Sequence, residues 1–325
     1  MRIFRHWSDL NFDARGAVVA IGNFDGVHCG HQKVIAIAAS IAKEKGLPLG
    51  VVTFEPHPRT VLSNASEPFR LTPFRAKVEA ICATGAEILY VMKFDESFAS
   101  LTANEFVYDI IVKGLGARHI VVGYDFAFGA NRTGNVDLLK SLASIGGYSV
   151  TKVEKVQDER GAFSASSARE YILNGNMEDA TEVLGRPWEI IGHIRKGDQI
   201  GRGLGFPTAN LSVANILSPE PGIYAVWAGL HSPIKPNENR FIEWYPAAAY
   251  VGRRPTFDKT EELLEVHLLD FDQEIYGQLL RVAFVSQIRK DQKFDTEKEL
   301  MEQMGKDCKE SRRLLSKYNC PQSNP

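Results

Sequence analysis

The chain has 325 residues, enough for about two domains at ~150 residues each and for cores that need no disulfide or metal staple. Hydrophobic residues make up 44% and charged residues 24%, and 38 Lys and Arg against 40 Asp and Glu leave a net charge of -2. That balance speaks against general nucleic-acid or membrane-surface binding, which draws on a basic excess. No apolar run reaches the ~18 residues of a transmembrane helix. The N-terminus lacks the apolar core of a signal peptide. Cys29, Cys82, Cys308 and Cys320 form no paired framework, and they read as reduced thiols of a cytoplasmic protein.

Over the first ~185 residues, short apolar runs alternate with helix-length periodic segments. The runs are Ala17–Ile21, Leu49–Phe54, Ile88–Phe94, His119–Gly123 and Tyr148–Val153, with helices predicted at about 31–45, 73–84, 103–114 and 135–145. In the first helix Val34, Ile35, Ala38, Ile41 and Ala42 fall on one face. Strand-helix alternation predicts an α/β fold, a doubly wound parallel sheet covered on both faces. Ligands on such a sheet bind beyond the carboxyl ends of the strands, so chemistry is expected just after each run.

Past Leu184-Gly185-Arg186-Pro187 the pattern changes. Trp188–Ile194, Gly222–Gly229, Tyr245–Val251, Leu263–Asp270 and Leu279–Ser286 are β-rich and separated by Gly- and Pro-rich turns, which predicts a closed antiparallel barrel. One long helix follows at about 295–317, then a loose tail. The expected domains are therefore 1–185 and 186–325. Basic against acidic residues number 20 to 21 up to Arg186 and 18 to 19 beyond it, so neither half is basic.

The first run leads straight into Gly22-Asn23-Phe24-Asp25-Gly26-Val27-His28-Cys29-Gly30-His31, and a helix begins there. Gly22, Gly26 and Gly30 allow tight turning and close backbone approach. Free N–H groups at a helix start hold a phosphate, and His28 and His31, three apart, can share one face toward it. The opposing reading is a plain glycine turn with two solvated histidines. Zinc is disfavoured because no further Cys or His follows at ligand spacing.

This string resembles the HxGH-class nucleotidyltransferases, and in full it resembles the family of bacterial bifunctional riboflavin kinase/FMN adenylyltransferases, the FAD synthetases. Thr53-Phe54-Glu55-Pro56-His57-Pro58-Arg59 resembles that family's F-x-P-H-P loop. Val121–Gly129 resembles its G-x-D-F-x-F-G turn. Where the family has S-S-T-x-x-R, this chain reads Ser164-Ala165-Ser166-Ser167-Ala168-Arg169, so Ala165 lacks a hydroxyl. The resemblance implies catalytic roles for His28, His31 and Arg169. It implies nucleotide or phosphate contacts for Gly22, Asn23, Phe24, Asp25, Gly26, Gly30, Asp125, Ser164 and Ser166, and flavin contacts for His57 and Phe128. Ser164 to Ser166 also read as a helix N-cap region, and the Pro-His-Pro loop as a rigid turn.

Gly205-Phe206-Pro207-Thr208-Ala209-Asn210 resembles the flavokinase signature, and Glu265-Val266-His267-Leu268-Leu269-Asp270-Phe271 resembles that family's base-bearing strand. The resemblance implies Mg²⁺-ATP ligation by Thr208 and Asn210, and Glu265 as the catalytic base. The glycines of this stretch, Gly197, Gly201 and Gly205, with Pro207, suggest a flexible flap closing over a nucleotide. Oxygen ligands suit Mg²⁺. The chain has no G-x-x-x-x-G-K-[ST], so phosphoryl transfer here is not P-loop chemistry.

The expected function is riboflavin phosphorylation to FMN, then adenylyl transfer from ATP to FMN, giving FAD and pyrophosphate. The expected partners are these small molecules, with no nucleic acid, membrane or obligate protein partner. Two alternatives stay open: an HxGH transferase of other specificity, and a flavin-binding protein with a degenerate transferase domain.

Overall fold

The computed structural model describes residues 1–8, 10–63, 68–159, 161–196, 203–212, 216–231, 242–255 and 260–321; the side chains of 212, 253–255, 260 and 261 fall outside it. Two compact units result. The first is Met1–Ser66 with Phe74–Ser164, and the second is Glu67–Pro73 with Ala165–Pro325.

In chain order the first unit holds β1 (Arg2–Phe4), β2 (Val18–Ile21), α1 (Cys29–Lys45), β3 (Leu49–Glu55), α2 (Pro58–Leu62), α3 (Phe74–Cys82) and β4 (Ile88–Lys93). There follow α4 (Glu96–Ala99), α5 (Ala103–Glu105), a π-helical stretch Phe106–Gly114 and β5 (His119–Gly123). The hairpin β6 (Ala127–Phe128) and β7 (Gly134–Asn135), α6 (Val136–Gly146), β8 (Ser149–Val153), and the hairpin β9 (Gln157–Asp158) and β10 (Gly161–Ala162) complete it. The main sheet has the order β1-β4-β3-β2-β5-β8, parallel throughout.

Every residue of β2 is buried, because the period of two sends alternate side chains into two cores. Val19 and Ile21 meet Phe106, Ile110 and Leu139 on one face. Val18 and Ala20 meet Ile35, Ala38 and Ile81 on the other. Ile41, expected on the buried face of α1, is only half-buried. β2 has β3 on one side and β5 on the other. The chain's connections diverge there, which makes its carboxyl end the crevice of the sheet.

The second unit opens with α7 (Ala165–Leu173) and α8 (Met177–Leu184). β11 (Trp188–Arg195), β12 (Ala209–Ser212), β13 (Gly222–His231), β14 (Ile242–Pro255), β15 (Thr260–Leu268) and β16 (Leu279–Lys290) close into an antiparallel barrel in the order β11-β12-β15-β14-β13-β16. Val226, Ala228, Ala249, Val266, Leu280 and Val282 are among its fully buried residues. α9 (Glu297–Leu315) lies over the barrel: Leu314 and Leu315 pack on Ala225, Trp227 and Val285, and Asp307 accepts from Arg289 Nη2 at 2.9 Å.

Packing groups α7 and α8 with the barrel, whereas the sequence placed the division near 185. α8 rests on β11 and β16, so its apolar face, including Ala180, Val183 and Leu184, is buried within the second unit. The short stretch 67–73 belongs there too. Trp188 Nε1 donates to Leu71 O at 2.8 Å, and Leu217 N donates to Arg70 O at 3.0 Å.

Candidate active sites

The carboxyl end of β2 turns through residues 22–28 into α1. Phe24 and Val27 adopt left-handed backbone angles, φ 49° and 42°, as Gly26 does at 78°. Such angles are rare for a β-branched residue and gather at functional sites. Gln32 Nε2 clamps the turn by donating to Val27 O at 2.9 Å. His28 caps α1: its Nδ1 accepts from the His31 backbone N–H at 3.3 Å, which leaves Nδ1 unprotonated. The two imidazoles stack with centroids 3.6 Å apart, and Phe24 meets His31 edge-on at 5.1 Å. No acidic side chain occupies the first turn of this 17-residue helix, which leaves the helix's own positive end favourable to an anion.

Two glycines are fixed by space. A Cβ on Gly30 would meet Phe163 O at 2.9 Å and the His28 ring at 3.0 Å. A Cβ on Gly22 would meet the Phe24 ring at 3.2 Å. Asp25 is buried beside them. The Phe163 backbone thus passes against the turn, and Ser164 is the next residue.

Around the same sheet end, Asp125 is exposed in the turn after β5, where Phe126 N donates to Gly123 O. His57 follows β3, and its Nδ1 accepts from Arg59 N at 3.1 Å as the cap of α2. Phe128 is buried, packed on Phe106 at 5.1 Å and Phe126 at 5.5 Å, so the half-buried ring of that pair is Phe126. Ser166 and Arg169 lie on α7 in the second unit. Ser166 is exposed, and Arg169 Nε donates to Phe69 O at 2.8 Å.

The second cluster sits on the barrel. Asn210 of β12 pairs with Glu265 of β15, and Tyr250 of β14 pairs with Glu265 from the other side. Leu264, Val266 and Leu268 are buried, so Glu265 and His267 take the opposite, half-buried face. Thr208 Oγ1 lies 3.5 Å from Glu265 Oε2. His267 Nδ1 is 2.8 Å from Pro207 O, and a carbonyl can only accept, so Nδ1 carries the proton and pins the Phe206-Pro207-Thr208 turn. Burial and neighbouring Asp291 raise the Tyr250 hydroxyl pKa, and Tyr250 donates to Asp291 at 3.3 Å. Gly205 has φ +83°. Gly197 and Gly201 lie outside the described residues.

A cavity of about 410 Å³ opens beside Thr208 and Asn210. Its wall includes the segment 271–276; of this, Asp272 to Ile275 were passed over by sequence reasoning because no periodicity marks them. Thr208 and Asn210, two apart with buried Ala209 between them, offer hard oxygen donors on one face toward this space. That donor set fits Mg²⁺, which keeps several waters and takes phosphate oxygens for the rest. Among the described residues no group of three or more His, Cys, Asp and Glu forms a metal cage. Lys77 also escaped the sequence reading: its side chain is 1% exposed, and its ammonium donates to Asn23 O of the glycine turn.

Comparison with known proteins follows the same two-part division. A family model described as FAD synthetase matches residues 11–167, and one described as riboflavin kinase matches 184–315. The bifunctional riboflavin kinase/FMN adenylyltransferase of Bacillus subtilis (strain 168) is 41% identical over 305 residues, covering 92% of this chain and 93% of that protein. Its counterpart from Escherichia coli (strain K12) is 36% identical over 293 residues, covering 90% of each. A solved structure described as a macrolide-efflux protein from Streptococcus pneumoniae is similar with a TM-score of 0.83 and 32% identity, covering 95% and 98% of the two chains. Among the described residues no helix is long and apolar enough to cross a membrane.

Proposed function

The chain belongs to the family of bifunctional riboflavin kinases/FMN adenylyltransferases, and from that premise we propose how its residues divide the two reactions. The enzyme phosphorylates riboflavin to FMN and joins AMP from ATP to FMN, giving FAD. The functional division falls near residue 185, and each part carries one site.

In the barrel, Glu265 accepts the proton of the ribityl hydroxyl as it attacks the γ-phosphorus of ATP. A neutral hydroxyl is a weak nucleophile and needs a positioned base. The observation that carries this reading is the placement of Glu265 against Asn210 and Thr208. Thr208 and Asn210 would hold Mg²⁺ with ATP, and the ion would offset charge on the phosphates. Gly205 and Pro207 take the nucleotide-flap role; Gly197 and Gly201, expected to share it, lie outside the described residues.

In the first domain no general base is needed. The phosphate of FMN is already mostly ionised near pH 7, with a second pKa of about 6 by analogy with phosphoserine. The site must bring two anions into line and stabilise charge on the leaving pyrophosphate. His28, His31 and the amides of the turn from Gly22 to Gly30 do this, with Asp25 shaping the turn and Asp125 meeting the nucleotide across the crevice. Ser164, Ser166 and Arg169 keep the phosphate-holding roles that the family resemblance implies, and His57 and Phe128 the flavin-side roles. Both reactions consume ATP, which fits a cytoplasmic enzyme acting on small molecules.

Incubating the full chain with riboflavin, Mg²⁺ and ATP and separating the flavins by chromatography tests the proposal. FMN is expected first and FAD second. FAD formed from supplied FMN but not from riboflavin would refute the assignment of kinase chemistry to the barrel.

A further inference from the structure

We propose that Lys77 is a positioning residue for adenylyl transfer: it aims a backbone N–H of the glycine turn at the phosphates of ATP. The inference rests on the phosphate-binding reading of that turn.

Lys77 lies on α3, and its ammonium is almost wholly withdrawn from water. A buried ammonium is costly unless it is met by partners. Its partners include Glu55 Oε2 at 3.5 Å, Thr53 Oγ1 at 3.4 Å and Asn23 O at 3.3 Å. Thr53, itself fully buried on β3, also donates its hydroxyl to Asn23 O at 3.0 Å. One carbonyl of the turn is therefore held by two donors.

Holding that carbonyl fixes the whole Asn23–Phe24 peptide plane. In a trans peptide the N–H points opposite to the C=O. Asn23 O is drawn toward β3, where Thr53 stands, so the N–H of Phe24 faces away from β3. β5 lies on that other side of β2, and the crevice between β2 and β5 is where a ligand of this sheet binds. The same clamp accounts for the left-handed φ of 49° at Phe24, which an unheld chain would relax. Glu55 neutralises the ammonium, so the contribution of Lys77 is direction rather than net charge.

Steady-state kinetics on the full chain test this, with FAD formation from supplied FMN read beside riboflavin kinase activity of the same preparation. Losing one donor of a charge-assisted pair should raise KM for ATP in FAD formation about tenfold in Lys77→Met and about threefold in Thr53→Val. KM for FMN and both kinase constants should stay within about twofold, a split that loosened packing would not give. Thr53→Val keeps the Lys77–Glu55 pair and decides the matter if Lys77→Met does not fold. Unchanged KM for ATP in both variants, or parallel rises for ATP and FMN, overturns the inference. His31→Asn, on the same turn, must also lower kcat/KM for ATP in FAD formation. If it does not, the phosphate reading of the turn fails and the role of Lys77 fails with it, whereas a response in His31→Asn alone rejects only Lys77.

Discussion

Asn210 of β12 stands directly opposite Glu265 of β15, on the face of the strands turned away from the buried Val266. Directly opposed residues hold their Cβ atoms about 5 Å apart. A carboxylate and an amide oxygen are thereby fixed side by side by the barrel's own hydrogen bonding, as the proposed Mg²⁺-ATP site requires. Tyr250 completes the row from β14 and stays a neutral donor, because burial and Asp291 raise its pKa.

Glu265→Gln keeps the shape of that row and removes its proton acceptor. A positioned base contributes about 10²- to 10⁴-fold, so riboflavin phosphorylation should fall by that order. Conversion of supplied FMN to FAD should be unchanged. Chromatographic rates with each flavin as sole substrate check both halves. Kinase activity within a few-fold of the original would remove Glu265 from the mechanism.

Gly30→Ala addresses the other site. The added methyl would press on Phe163 O and on the His28 ring, and both belong to the structure around the turn. A shift of about 1 Å in a catalytic group can cost about 10²-fold, and FAD formation from supplied FMN should drop by that order with kinase activity intact. A variant that makes FAD at the original rate would show that the close packing of Gly30 is not needed for catalysis.

Much of this arrangement is legible in the sequence, because the strongest signals are local. The buried run at β2 and the face of Val34, Ile35, Ala38 and Ala42 follow from period alone, and both formed as expected. The segment expected as a helix at 103–114 is helical, but most of it winds as a π-helix, a difference of hydrogen-bond ladder that side-chain patterning does not encode. β1 was missed because it is three residues long, mostly exposed and ordered only by pairing with β4. β12 was missed because four residues after a Pro-Thr turn carry too little alternation. Stretch 67–73 joins the barrel's unit through backbone carbonyls at Phe69, Arg70 and Leu71, which any side chain would present equally well. Nothing in the sequence marks Lys77; only the fold brings it behind Asn23.

His119, at the amino end of β5, gives a pH signature of the first unit. Its ring is buried between Ser149 Oγ at 2.6 Å and Thr151 Oγ1 at 2.8 Å. Burial, and then the charge of Lys45, lowers its pKa from the ordinary 6.5. The unfolded chain therefore binds the proton more readily, so stability is fully present above about pH 6.5 and is lost as pH falls from there toward the folded pKa. Urea midpoints of the first unit's transition should fall between pH 7.5 and 5.5, and fall less in His119→Gln. Equal slopes in the two proteins would assign the pH dependence elsewhere.

The central claim is that one chain holds two independently working sites, and His31→Ala tests it most directly. The variant is incubated with riboflavin, Mg²⁺ and ATP, and the flavins are separated over time. FMN should accumulate at the original rate while FAD stays absent, because the role proposed for the imidazole stacked on His28 is confined to adenylyl transfer. Loss of FMN and FAD together would contradict the claim.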